Sequence, residues 1–381
     1  MNNLQLLEQL GQSIWYDSIS RSLIRSGELR RMVDEGLLGV TSNPTIFDKA
    51  ISGSTGYDAQ IRELLRGTPV PDTAELIQAL MVADIQMAAD VLRPAYDRTQ
   101  GRDGYVSIEV SPGKARDTQA TIDEARLLWR RTGRPNLLVK IPATREGLPA
   151  IEQAVAEGIN INITLIFSVA RYREVTGAYL RGLESRVDAG RSLAGVASVA
   201  SVFVSRVDTL VDGLLHAKAS AAAGSESERY RALAGQAAVA NAKMVYAAFR
   251  EVFSGERFAR LSRRGAALQR PLWGSTSTKN PAYYDLLYVD PLIGRDTVNT
   301  VPPATYAAIL DHAKPVLSIE AGMPEARTIL AELAAAGIDM DRVMNQLEEE
   351  GVAAFEKSFD GLAANLERKR QAFLTSGSAA G

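Results

Sequence analysis

The sequence predicts an α/β protein: a (β/α)8 barrel of parallel strands, with extra helices between strands six and seven and at the C-terminus. Three observations predict it. Eight short apolar or β-branched runs alternate with longer segments of helical period. Several of the runs are almost continuously apolar, as strands covered on both faces are. The rival doubly wound sheet would need a phosphate turn of the form G-x-G-x-x-G or G-x-x-x-x-G-K-[ST], and neither occurs.

The strand-like runs are 14–19, 39–42, 106–110, 137–141, 159–167, 195–204, 272–276 and 287–292. Between the second and third, Ile77, Leu80, Met81, Ile85, Ala88, Val91 and Leu92 form one apolar helical stripe. Asp72, with Glu75 three residues on, is placed to cap that helix. Asp117 is placed to cap the next, which buries Ala125, Leu128 and Trp129 and ends at Gly133. Thr144 opens a third, which stops near Gly158. The pair Gly53 and Gly56 reads as a loop. At 381 residues the chain exceeds the ~250 of a typical barrel. The excess falls in the helical stretch 206–270, broken by AGSES at 223–227, and in helices over 325–335 and 341–372. No linker or internal repeat divides the chain. The expectation is one domain over 1–373 and a disordered tail over 374–381.

Composition narrows the chemistry. Forty-three basic against 45 acidic residues, a net charge of −2, argue against a nucleic-acid partner and against polybasic attraction to a membrane. With no Cys, thiolate nucleophiles, disulfides and Cys-ligated metals are ruled out. His216 and His312 are the only histidines, which disfavours Ser-His-Asp hydrolysis and multi-His metal sites. No metal and no cofactor is expected. The N-terminus lacks a signal-peptide pattern, and no run reaches the ~18 apolar residues of a membrane span, so the expected location is the cytoplasm.

In this barrel class, chemistry sits where the strands end. Asp17 ends the first strand, either as a helix cap or as a functional carboxylate. Asn43 precedes Pro44 after the second, an ordinary turn opening. Glu109, between Ile108 and Val110, points opposite to both and so toward the barrel axis, where a carboxylate needs a partner. Of nine lysines, only Lys140 lies inside an apolar run. It is either an ion-pair partner of Glu109 or a desolvated amine able to attack a carbonyl. Asn162, Thr164 and Ile166 are expected on one face of the fifth strand, with Ile163 and Leu165 on the other. Ser201, Phe203 and Arg206 end the sixth. The hydroxyl-rich LWGSTSTKN, with Ser277 and Lys279, ends the seventh and suits phosphate. An amine, a carboxylate, neutral hydrogen-bonders and two cations around one mouth point to a Schiff-base lyase or transferase acting on a phosphorylated sugar.

The segments GVTSNPTIF (39–47), VSIEVSP (106–112), LLVKIPAT (137–144), GININITLIFS (158–168), VASVFVSR (199–206) and WGSTSTKNP (273–281) resemble those of the transaldolases of the pentose phosphate pathway, in the same order. The length and helical C-terminus resemble the longer bacterial subtype. The resemblance implies a class I aldolase barrel in which Lys140 forms a Schiff base with a ketose phosphate. Asp17 would take the C4 hydroxyl proton, and Glu109, through a water held with Thr164, would shuttle protons. Asn43, Asn162 and Ser201 would bind the hydroxyls of the dihydroxyacetone unit, and Phe203 would shape the pocket. Arg206, Ser277 and Lys279 would hold phosphate. Lys279 stands where the best-known members have Arg, so a point charge replaces a planar fork. Sugar phosphates are the implied partners, and a monomer or homodimer the implied assembly. The alternatives are an aldolase releasing free dihydroxyacetone from fructose 6-phosphate, and a sugar-phosphate binder without activity.

Overall fold

In the computed structural model, which describes residues 1–378, eight parallel strands close into a barrel in chain order. They are β1 (Gln12–Tyr16), β2 (Gly39–Val40), β3 (Tyr105–Glu109), β4 (Leu137–Pro142), β5 (Ile161–Ile166), β6 (Ser198–Phe203), β7 (Gln269–Gly274) and β8 (Thr297–Val301), with β8 pairing back onto β1. The fold class is the one expected, and seven of the eight runs coincide with strands.

The eighth run does not. Residues 287–292 form turns and a 3-10 turn at Asp290–Leu292, where Pro291 has no N–H to give to a ladder. The eighth strand is TVNTV, five residues further along. Its polar residues hid it. Thr297 is bonded by the Gln12 amide, and Asn299 donates to the Tyr288 carbonyl at 3.2 Å, so the misread run packs against the true strand. On β5, alternation breaks. Ile163 faces Ala200 and Ile166 faces Val202, three residues opposite two, with Leu165 at a φ of 60°. The extra residue is a bulge, and it puts Ile166 on the face of Ile163 rather than that of Thr164.

Side chains pointing into the barrel form three layers. At the N-terminal end of the strands Arg270 pairs with Asp103 at 2.8 Å, and Asp103 also accepts from Ser13 Oγ and Trp15 Nε1. This inward Arg is why β7 starts three residues before the apolar run suggested. The middle layer is apolar: Trp15, Leu38, Tyr105, Leu138, Val199, Leu272 and Val298. Gly39 is required here, because a Cβ would lie 2.5 Å from the Trp15 indole. The top layer is polar and holds the residues two positions on, among them Lys140 above Leu138 and Ser201 above Val199. The alternate residues, such as Ile108, Val139, Ile141, Ile163 and Val202, belong to the larger core between barrel and helices. Full burial of each such side chain is worth about 1.5–3 kcal/mol.

Helix boundaries follow the expected signals. Asp72 and Glu75 form a reciprocal capping box, Asp117 caps Thr118–Thr132, and Gly133 ends it in the left-handed region. The third differs: Glu146, not Thr144, is the N-cap of Gly147–Glu157, and Thr144 Oγ1 accepts from the Gly147 amide from the turn before it. The insertion between β6 and β7 is four helices, Ser205–Ala221, Gly224–Ala232, Ala237–Ser254 and Glu256–Ser262. The last two helices are Met323–Ala335 and Met340–Ser378. The tail expected to be disordered begins inside the final helix, and 379–381 lie outside the described residues. That helix crosses the top of the barrel, tied by Arg171–Glu348 at 3.1 Å, Thr45–Ser358 at 2.7 Å and Lys369–Asp58 at 3.0 Å. Among the described residues, no helix is long and apolar enough to cross a membrane.

Candidate active site

The centre of the top layer is set by strand register. Glu109 on β3 is directly opposite Lys140 on β4, and Lys140 is opposite Asn162 on β5. Parallel pairing therefore puts acid, amine and amide side by side. Lys140 Nζ lies 3.1 Å from Glu109 Oε2 and donates to the Ser42 carbonyl at 3.3 Å. Both side chains are at most 5% exposed. The pair is a charge contact without an aligned hydrogen bond, since neither Glu109 oxygen has a donor in line. Burial raises the Glu109 carboxyl above its ordinary range. Lys140 opposes that rise and the Asp17 charge adds to it. Asn162 donates to Ser107 Oγ at 3.0 Å and accepts from Ser201 Oγ at 2.6 Å, which fixes its amide. Thr164 Oγ1 is buried with no partner among the described residues.

Asp17, one residue beyond β1, is not a helix cap: Ser20 caps Arg21–Arg25. Its Oδ1 accepts from Thr41 Oγ1 at 2.7 Å, and Thr41 in turn meets Thr300 Oγ1. Burial raises the Asp17 carboxyl, opposed by Lys140, the Thr41 hydrogen bond and Lys279. Asn43 does cap Pro44–Ser52, accepting from the Ile46 amide at 3.0 Å through Oδ1, which leaves its Nδ2 for other work.

Above this layer opens a cavity of about 670 Å³. Its wall holds Asp17, Asn43, Phe203, Arg206, Ser277 and Lys279, six of the eleven residues singled out from the sequence. Lys140, Glu109, Asn162, Thr164 and Ser201 lie one layer down, buried in the strands. Phe203 packs edge-on against Phe167, and the Arg206 guanidinium sits 5.2 Å from its ring centre. Lys279 Nζ donates to Ser277 Oγ at 2.7 Å. Burial lowers its affinity for a proton, and the charges of Arg206 and Lys49 lower it further against Asp17. Among the described residues, none of Arg206, Lys279 and Lys49 forms an ion pair with a carboxylate. Three cations without a direct ion pair at one side of a cavity are a ready anion site. Among the described residues, no three His, Asp or Glu side chains are placed to hold a metal ion.

Sequence reading missed Lys49, Thr41 and Phe355, all of which bear on this centre. Lys49 lies one helical turn beyond Thr45, so both face the cavity. Thr41 stands inside the GVTSNP run and could have been found there. Phe355 sits in the final helix, and no local signal marks it.

A buried amine beside a proton acceptor, a second carboxylate on the cavity wall and a cationic anion site can do carbonyl chemistry on an anionic substrate. The family described as transaldolase/fructose-6-phosphate aldolase matches residues 14–366. A protein named transaldolase from Thiobacillus denitrificans is 46% identical, over 96% of this chain and 100% of its own. One from Saccharopolyspora erythraea, also named transaldolase, is 50% identical over 95% and 96%. A third, transaldolase 2 of a Nostoc species, is 45% identical over 97% and 98%.

Proposed function

The chain belongs to the transaldolase/fructose-6-phosphate aldolase family, and we propose that it works as a transaldolase through a Schiff base on Lys140. It is an enzyme, a transferase of the transaldolase type, and its place in the pentose phosphate pathway follows from the family. The relatives compared carry the transaldolase name rather than that of the aldolase.

Lys140 attacks the C2 carbonyl of sedoheptulose 7-phosphate or fructose 6-phosphate, passing a proton to Glu109, whose hold on a proton burial has strengthened. Loss of water, assisted by Glu109 and a water held by the unpartnered Thr164 hydroxyl, gives the iminium. Asp17 takes the C4 hydroxyl proton, and the C3–C4 bond breaks toward the iminium. The aldose phosphate leaves, and a three-carbon enamine remains on Lys140. Asn43, Asn162 and Ser201 hold its hydroxyls and Phe203 borders it. Glyceraldehyde 3-phosphate or erythrose 4-phosphate then enters, and the steps run backward. Arg206, Ser277 and Lys279 hold the phosphate, and Lys49 joins them. No cofactor takes part. The reading extends to a single domain through residue 373, a cytoplasmic location and a monomer or homodimer.

One observation carries this reading: among the described residues, the only lysine inside the barrel touches a buried carboxylate at 3.1 Å beneath a cavity with a cationic side. Borohydride added with fructose 6-phosphate tests it. The expected result is inactivation with a three-carbon adduct on Lys140. An adduct elsewhere, or none, overturns the Schiff-base assignment.

A further inference from the structure

We infer that Phe355, on the C-terminal helix, is the specificity-determining cover of the Lys140 centre: it keeps the covalent enamine for an aldose and away from water. The inference rests on the Schiff-base reading above.

The geometry points there in three steps. First, the final helix is held in close contact with the strand ends. A Cβ on Gly351 would lie 2.9 Å from the Leu165 side chain and 3.6 Å from the Arg206 guanidinium, so no larger residue fits without a shift. Leu165 reaches up to this contact from the bulge of β5. Second, Phe355 is one helical turn beyond Gly351 and shares its face. The ring is 4% exposed and lines the cavity, with its centre 5.5 Å from Lys140 Nζ. Third, the same ring that lines the cavity is the one beside the buried Lys140 amine, so it stands where the cavity meets the amine.

A ring in that position acts on both fates of the enamine. In transfer, the enamine carbon attacks the aldose carbonyl carbon, a C–C bond forms, and Asp17 returns its proton to the new alkoxide. In hydrolysis, the same carbon takes a proton instead. Water then adds to the iminium, and dihydroxyacetone leaves with the amine restored. Both routes end with water adding to the iminium carbon, since the new ketose also leaves Lys140 by hydrolysis. They part at the enamine, where the second needs a proton donor at the carbon, and an apolar ring beside Lys140 removes space from which a water would give that proton. Phe355 thus shields the enamine from a protonating water while leaving it open to the aldose.

The test compares wild type with Phe355→Ala and Phe355→Leu. Each is assayed for free dihydroxyacetone released from fructose 6-phosphate alone, and for transfer to erythrose 4-phosphate. In Phe355→Ala the ratio of release to transfer should rise at least tenfold, with the borohydride adduct still on Lys140. Phe355→Leu, which restores an apolar cover without a ring face, should lie between the two and guards against misfolding of the smaller variant. An unchanged ratio in both variants, whether rates stay intact or fall together, overturns the inference. A wild-type adduct away from Lys140 overturns the Schiff-base reading itself, a failure distinguishable from an unchanged ratio.

Discussion

Lys140 and Glu109 are Cα partners across β3 and β4, and their charged ends meet at 3.1 Å inside the barrel. Neither is held by much else: the ammonium has one carbonyl, that of Ser42, and the carboxylate has no aligned donor. A charge pair this loosely satisfied is poor at stabilising a fold but well placed to trade a proton. Glu109→Gln should therefore slow turnover by about 10²–10⁴-fold, the usual worth of a positioned acid–base group. The barrel should remain folded, because Gln keeps the shape of Glu. Steady-state rates and a melting curve check both. Full activity in a folded variant would remove Glu109 from the mechanism.

Asp17 sets the expected pH dependence. It must be deprotonated to accept the C4 hydroxyl proton, and burial raises its pKa. The acid limb of kcat/KM should thus lie above the ~3.9 of an ordinary aspartate. The Thr41 hydroxyl, 2.7 Å away, stabilises the charged form. Thr41→Val removes that donor while keeping the shape, so the protonated form gains and the acid limb should move to higher pH, with the plateau less affected. A pH profile of the two proteins decides it. A limb that stays put, or moves to lower pH, would show that Asp17 is not the group being titrated.

The cationic side of the cavity divides by residue type. Arg206 and Lys279 face Phe203 and Ser277 respectively, and Lys49 approaches from the helix after β2. Arg206→Ala should raise KM for fructose 6-phosphate most, by about ten- to a hundredfold, because it loses a fork able to bind phosphate with two hydrogen bonds. Lys49→Ala should raise it less. Neither change should weaken transfer from fructose to glyceraldehyde, a substrate pair that carries no phosphate. Lys279→Arg should tighten phosphate binding if a planar donor fits beside Ser277. Equal losses for phosphorylated and unphosphorylated substrates would argue against an anion site here.

What could be read in the sequence followed from burial on two faces. β4 and β5 announce themselves because most of their residues are apolar, and Lys140 or Asn162 within such a run stands out. β8 was illegible because TVNTV spends its polar side chains on partners far away in sequence, Gln12 and Tyr288, and only the fold reveals them. Asp17 could not be told from a helix cap until Ser20 was seen doing that job. The bulge at Leu165 leaves no composition signal, since it is a backbone event inside an apolar strand. Phe355 is the extreme case. It meets a lysine 215 positions earlier in the chain. In its own helix it is one phenylalanine beside Phe359 and Phe373, and nothing in the local sequence sets it apart.

The far end of the barrel gives a prediction of the opposite kind. Asp103 accepts from Ser13, Trp15 and Arg270 in a layer that the apolar residues separate from Lys140. The N-terminal face of such barrels serves stability rather than chemistry. Asp103→Ala would leave the Arg270 guanidinium, only 7% exposed, without its carboxylate and the Trp15 N–H without an acceptor. Stranding a buried charge in this way costs about 3–5 kcal/mol. The unfolding midpoint in urea should fall clearly, while kcat measured well below that midpoint should remain within about twofold of wild type. Arg270→Met should be milder, since Asp103 would keep its Ser13 and Trp15 donors. If Asp103→Ala instead lowered kcat a hundredfold with no loss of stability, the two ends of the barrel would be coupled in a way that the three-layer interior does not allow.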